Sequence, residues 1–220
     1  MTMSNIVVFG DSTFAERLAK YILLEKKDRL LCFTQEDAFC SRDTILSLPV
    51  VPLSALRNYI KVEFEIVLAV GYTQMNGLRE KLYNMLVDAG FKIGKWISTN
   101  AMVYSNYIGE GTIILPNVVI GPGCQIGKCN FFGSSVSLSH DNTVGDFNFF
   151  STGVVVGGSS EIKNHCFLGL NSTIKSSICL YDYTLLGAAT NLLKSTNEFD
   201  VYIGNPAKKM EHKSIEVKII

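Results

Sequence analysis

Every sixth residue from Met102 to Leu192 is large and apolar, a series that runs through Ile108, Ile114 and Ile120 and on through sixteen positions without a break. Against a background of 47% hydrophobic residues, chance gives such a run with a probability on the order of 10⁻⁵. The position after each member is glycine in eight cases (109, 121, 127, 133, 145, 157, 169 and 187), and the position four after it is Asn, Thr, Val, Cys or Ser in fifteen, with Ile178 the exception. A period of six fits neither a helix of 3.6 residues per turn nor an alternating strand. It suits short strands joined by tight turns, where glycine accepts the positive φ that a corner requires. Each hexad is then one wall of a coil with its large side chain pointing inward. Nothing interrupts the phase, so no long loop leaves the coil.

Charge and cysteine content narrow the function classes. Twenty Lys and Arg balance twenty Asp and Glu, leaving no global positive field to hold a phosphate backbone or an anionic bilayer, and nucleic acid is excluded as the expected partner. Only 18% of residues are charged, the reverse of a disordered composition. The start, MTMSNIVVFGDS, lacks the basic and apolar regions of a secretory signal, and no segment approaches the roughly 20 apolar residues of a membrane span. A cytoplasmic protein without membrane insertion is expected. The cysteines at 32, 40, 124, 129, 166 and 179 form no CxxC pair and no zinc-ligand spacing, so reduced, packed thiols and no metal are expected.

The first ninety residues follow a different rule. Ile6 to Phe9 reads as a strand that ends in Gly10-Asp11-Ser12-Thr13, and a helical pattern follows from Phe14 to Glu25 with Leu18, Tyr21 and Ile22 on one side. Leu30 to Phe33, Val50-Val51 and Ile66 to Val70 are further strands. Leu78, Leu82, Met85 and Leu86 mark a second helix stopped by Gly90. Alternating strands and helices predict a small parallel α/β layer with its ligand side at the carboxyl ends of the strands. The expected domains are 1–95, an α/β Rossmann-like layer, and 96–220, the coil with a tail. Ser195 to Lys209 reads as a loop, and Glu211 to Ile220 as a last strand or helix.

The order of a nucleotide-binding-like layer, hexad coils with Ser139-His140-Asp141-Asn142-Thr143-Val144-Gly145-Asp146, then Asn164-His165-Cys166-Phe167-Leu168-Gly169-Leu170-Asn171-Ser172 and Gly204-Asn205-Pro206-Ala207-Lys208 resembles the bacterial hexapeptide-repeat sugar acetyltransferases. It is most similar to the sugar-nucleotide N-acetyltransferases of the bacillosamine and perosamine type, grouped with sialic acid O-acetyltransferase-like proteins. The resemblance implies a left-handed parallel β-helix of triangular section, with three walls and 18 residues per turn, about five coils in all. It further implies a homotrimer with sites between neighbouring β-helices, acetyl-CoA as cosubstrate, and an amine or hydroxyl of a nucleotide-linked amino sugar as acceptor, for surface glycan synthesis.

Carried onto this chain, the resemblance makes His140 the general base and Asp141 its acidic partner. The chemistry agrees, because an amine or hydroxyl that attacks a thioester must lose a proton and imidazole titrates near operating pH. Adjacent residues of a strand face opposite ways, so Asp141 reaches the ring only at a corner, and Asp146 is the alternative orienter. Backbone amides around Leu170 and Ala188, 18 apart in sequence, are the implied contacts of acetyl-CoA. Phe149, also placed at the acetyl-CoA site by the resemblance, stands where relatives carry a histidine that touches the acetyl carbonyl, which leaves oxyanion stabilisation to a backbone N–H such as that of Gly157 or Gly158. In the front domain the implied carrier contacts are Gly10, Asp11, Ser12, Thr13 and Gly71, with Thr34 and Gln35 at positions where some relatives read the base with acidic residues. A plain strand-to-helix turn is the competing reading of Gly10 to Thr13. O-acetylation of a sugar is the alternative activity. A metal-dependent lyase on the same coils needs three histidine ligands, and only His140 and His165 of the three histidines lie in the repeat. A structural trimerisation module is the non-enzymatic alternative.

Overall fold

The computed structural model describes residues 3–105 and 107–217. The chain divides into two compact units, one made by the chain up to Gly71 together with Leu82–Lys95, the other by Tyr72–Lys81 together with the chain from Trp96 onward.

The first unit is a five-stranded sheet in the order β3-β4-β2-β1-β5, comprising β1 (Asn5–Phe9), β2 (Arg29–Gln35), β3 (Thr44–Ile45), β4 (Leu48–Pro52) and β5 (Glu65–Leu68). All pairs are parallel except the β3–β4 hairpin. Val7, Val8 and Phe9 of β1 are fully buried, which is why the central strand reads as a continuous apolar run. Helix α1 (Thr13–Glu25) follows β1, capped by Ser12, whose Oγ accepts from the Ala15 N–H at 3.4 Å, and it buries Ala15, Leu18, Ala19 and Ile22. After α2 (Leu56–Tyr59) and β5 comes α3 (Gly77–Asp88), which begins in the second unit and ends in the first. Gly90 closes it at φ 74°, with Gly90 N–H on Val87 O and Phe91 N–H on Leu86 O, the paired bonds of a Schellman stop. Strand β1 lies between β2 and β5, so the direction of growth reverses there, and the crevice outside their carboxyl ends is bordered by Gly10 and by the segment after β5.

The second unit is a parallel β-helix of two-residue strands on three walls. The first wall carries Met102–Val103, Val119–Ile120, Ser137–Leu138, Val155–Val156, Thr173–Ile174 and Asn191–Leu192. The second runs from Tyr107–Ile108 to Cys179–Leu180, and the third from Trp96–Ile97 through Phe131–Phe132 and Phe149–Phe150 to Val201–Ile203, closed by the antiparallel Lys208–Lys209. Partners in register are 18 residues apart along the middle of the coil, as in Val144 on Ile126 and Phe150 on Phe132, and 17 or 16 apart at its ends, as in Val103 with Ile120 and Leu185 with Val201. The inward series from Ile114 to Leu192 and the small column beside it, including Val118, Cys124, Val136, Val154 and Cys166, form one buried core. This is the left-handed hexapeptide type of coil.

Three expectations need correction. In the first hexad the inward residue is Val103, because Met102 pairs with Val119 and is exposed while Val103 pairs with the inward Ile120. Ser195 to Lys209 is not all loop, because Val201–Ile203 and Lys208–Lys209 are strands, and Ser214–Glu216 beyond them is a short 3₁₀ turn; Asn106, the first member of the small column, and residues 218–220 lie outside the described residues. Finally, none of the eight glycines that follow inward residues has positive φ. A Cβ at Gly109 would come within 2.6 Å of the Lys128 nitrogen, and one at Gly121 within 2.7 Å of Ser139 O, so these glycines serve the close approach of the next coil. Positive φ falls instead three residues past each inward residue from Ile108 to Leu186, on residues as diverse as Asn117, Gly123, Asp141, Phe147, His165 and Ala189.

Tyr72–Lys81 belongs to the β-helix because its side chains find partners there. The Tyr72 ring meets Phe149 and Phe167 edge-on, each at 4.9 Å. The buried Arg79 donates to Cys129 O at 3.1 Å and to Asn148 O at 3.4 Å, and Asn76 donates to Cys166 O at 3.3 Å. Burial pulls the Arg79 guanidinium down to about 10, so it keeps its charge at neutral pH.

Candidate active site

His140 and Asp141 form the corner between the first and second walls, in the turn from Leu138 to Thr143. The turn is held from both neighbouring coils. Asp141 N–H donates to Pro122 O at 2.9 Å, Ser159 N–H donates to His140 O at 3.0 Å, and the buried Asn142 bridges Ser139 O and Ser160 N–H with its amide. Asp141 takes the left-handed conformation at φ 56°, which breaks the alternation of a strand and lets two adjacent side chains meet. Its Oδ2 lies 2.9 Å from His140 Nδ1. The pair is exposed, with 60% of the imidazole and 64% of the carboxylate side chain accessible.

A carboxylate at Nδ1 selects the tautomer with the proton there and leaves the Nε2 lone pair as base. Nε2 lies over Gly158 of the adjoining coil. A Cβ at Gly158 would stand 2.6 Å from Nε2 and 2.7 Å from Cε1, so only glycine leaves the ring in place. Asp146, the alternative orienter, accepts from Lys128 N–H at 2.8 Å at a different corner and is not the partner. The N–H of Gly157 is taken by Ile174 O at 2.9 Å, whereas among the described residues Gly158 N–H has no backbone acceptor. Leu170 and Ala188 are alike in this, two residues past their inward residues with N–H groups that meet no backbone acceptor, stacked one coil apart and exposed. They stand at the corner between the third and first walls, so one chain does not bring them to His140's corner.

Phe149 is corrected. Its outward ring is 6% exposed and packed between Tyr72, Phe131 and Phe167, which gives it no open face for an acyl group. His165 is buried in a stack, 5.3 Å from Phe147 and 4.7 Å from Tyr183, with Nδ1 3.2 Å from Met75 O and Nε2 3.4 Å from Glu80. Its role is to hold Tyr72–Lys81.

In the first unit the turn after β1 is confined. Gly10 has φ 122°, and a Cβ there would meet Ala69 O at 2.9 Å. Ser12 caps α1 and Thr13 is the exposed first residue of that helix. Asp11 accepts from both the N–H and the Oγ of Ser41, at 3.1 and 2.6 Å; burial works against its charge, but these bonds hold its carboxyl below the ordinary range. Nothing local in the sequence marks Ser41 as this partner, since it is a loop residue 30 positions from Asp11. Thr34 is corrected: it is fully buried and donates its hydroxyl to Val51 O at 2.7 Å, so it reads no ligand. Gln35 Oε1 accepts from Glu36 N–H at 2.9 Å. At Gly71 a Cβ would meet nothing within 4 Å.

All six cysteines are free, and burial pushes the Cys32 and Cys129 thiols up to about 12. Among the described residues no group of three or more His, Cys, Asp or Glu is placed to hold a metal ion, and no helix is long and apolar enough to cross a membrane.

Residues 107–140 match the bacterial transferase hexapeptide (six repeats) family. Similar solved structures are the acetyltransferase domain of PglB from Neisseria gonorrhoeae in complex with acetyl coenzyme A (18% identity, TM-score 0.83, 95% of this chain and 100% of that one). A perosamine N-acetyltransferase mutant from Caulobacter crescentus with CoA and GDP-perosamine matches at 20% identity and TM-score 0.83, over 96% and 99%. WeeI from Acinetobacter baumannii matches at 22% and 0.83, over 95% and 100%. The resemblance read from the motifs therefore holds for the fold along nearly the whole chain.

Proposed function

We propose that this protein is an acetyl-CoA-dependent N-acetyltransferase acting on the amino group of a nucleotide-linked amino dideoxy sugar, for surface glycan synthesis in the cytoplasm. The observation that carries the reading is the His140–Asp141 pair, with Nδ1 held by the carboxylate and Nε2 directed over Gly158. His140 Nε2 takes the proton from the acceptor nitrogen as it attacks the thioester carbonyl, and the CoA thiolate leaves. The Gly158 N–H is the donor for the developing oxyanion. Leu170 and Ala188 N–H groups bind the pantetheine arm, whose amides need donors at such a spacing. The sugar carrier occupies the crevice at Gly10, Asp11, Ser12, Thr13 and Gly71, with Gln35 at its rim.

His140 and the Leu170–Ala188 ladder occupy different corners, which supports a homotrimer in which a neighbouring copy completes each site. The fold neighbours with bound CoA and GDP-perosamine support the two substrate classes. The test is release of free thiol from acetyl-CoA with UDP-, dTDP- and GDP-linked 4-amino sugars and their hydroxyl counterparts. Turnover with an amino sugar alone supports the proposal; turnover with hydroxyl sugars alone makes the protein an O-acetyltransferase, and thiol release with none overturns both.

A further inference from the structure

The carboxylate of Asp141 meets the imidazole through Oδ2, while Oδ1 occupies the space that a side chain would fill at Gly123 of the coil beneath. Gly123 is in register with Asp141 and itself at φ 75°. A Cβ built there would fall well inside contact with Oδ1 and 3.1 Å from Cγ. The same arrangement occurs at another corner, where Asn171 leans over Gly153 (φ 77°) and a Cβ on that glycine would lie 3.2 Å from Asn171 Cγ. The Asx-over-glycine step is thus a packing solution of the coil, and at one corner it aims a carboxylate at a histidine.

We propose that Gly123 is a positioning residue for the His140–Asp141 pair: its missing side chain is the space that lets Asp141 turn to Nδ1 and fix the tautomer that frees Nε2. The consequence for catalysis rests on the N-acetyltransferase reading, but the positioning itself does not. With a methyl group at 123 the carboxylate must swing away, since the far end of a flexible side chain yields before the stacked backbone does, and the ring loses the acceptor that holds its proton on Nδ1.

Gly123→Ala also strains a left-handed backbone position. Gly153→Ala is the matched control, with the same φ and the same collision but no histidine. Gly123→Asn, which tolerates positive φ, keeps the collision without most of the strain. The readout is the tautomer of neutral His140, from nitrogen NMR of the full-length protein with isotope-labelled histidine, its signal assigned by His140→Gln. Gly123→Ala and Gly123→Asn are expected to move His140 from the Nδ1–H toward the Nε2–H tautomer and to lower kcat by about tenfold or more, within the range of a general base. Gly153→Ala is expected to lower Tm comparably and leave the tautomer unchanged. In an Asp141→Gly background, Gly123→Ala is expected to change neither tautomer nor kcat further. An unchanged tautomer in both Gly123 variants, or the same change in Gly153→Ala, overturns the proposal. If the tautomer moves while His140→Ala retains full activity, the positioning stands and the catalytic reading falls.

Discussion

At the scale of single residues, the site depends on one left-handed backbone position. Asp141 is the third residue past the inward Leu138, and that column has positive φ at every corner from Gly111 to Ala189. Asp and Asn are the residues that visit this conformation with least strain after glycine. A corner that requires the left-handed region therefore favours the side chain that can also orient an imidazole. His140→Ala is expected to lower kcat by roughly 10²- to 10⁴-fold with acetyl-CoA binding retained. With an amine acceptor the deficit shrinks toward pH 9, where more of the amine is already unprotonated; a pH-independent deficit in steady-state assays points to a hydroxyl acceptor. Asp141→Asn costs less, because it removes the orienter and keeps the base.

At the scale of elements, the third wall differs from the other two. Its outward residues Ile113, Phe131, Phe149, Phe167, Leu185 and Val201 are all buried, whereas outward residues such as Tyr107, Gln125, Thr143 and Val155 of the other walls are exposed. Arg79 lies among the aromatics of that wall, 5.6 Å from the Phe149 ring, with its donors on two carbonyls. Arg79→Met keeps the apolar stem but leaves Cys129 O without its donor, while Asn148 O still accepts from Phe131 N–H at 2.9 Å, so unfolding by urea is expected to show a loss of about 1–3 kcal/mol. Equal stability of the variant removes Arg79 as an anchor of Tyr72–Lys81. At the end of the coil, the buried Asp200 is paired with Lys209 at 2.8 Å. Burial opposes its charge, yet the bonds from Lys209 and Asn197 hold its carboxyl below the ordinary 3.8. The folded state thus gives up this proton more readily than the unfolded chain, and the stability is present above about pH 4 and lost as pH falls through the lowered folded value. Asp200→Asn is expected to lower Tm at pH 7 and to make Tm less steep in pH below 4.

At the scale of the whole molecule, the proposed function divides its two substrates between the two units. Gly71→Trp extends into open space, so it is expected to raise KM for the sugar severalfold while leaving KM for acetyl-CoA near its original value. Equal effects on both constants contradict the assignment of the carrier to the first unit. Light scattering at micromolar concentration is expected to give the mass of three chains; a monomer with full activity contradicts sites completed by a neighbour.

The sequence by itself determined the coil, its inward residues from Ile108 onward and the α/β layer, and it marked His140 with two candidate partners, Asp141 and Asp146, between which the left-handed turn at Asp141 decides. These depend on relations repeated every few residues, or on neighbours in the chain, and a period of six leaves little choice of backbone. Tertiary structure decided what covers each face. Asn76 meets Cys166 across 90 positions and Arg79 meets Cys129 across 50, and no local pattern encodes such a contact. That is why Phe149, aligned with a ligand-contacting histidine, became packing, why Thr34 turned inward to Val51, and why His165 holds a segment. The same holds for the glycines after each inward residue: whether such a glycine serves its own φ or the approach of the coil 18 residues later depends on backbone stacking that exists only once the coils have formed.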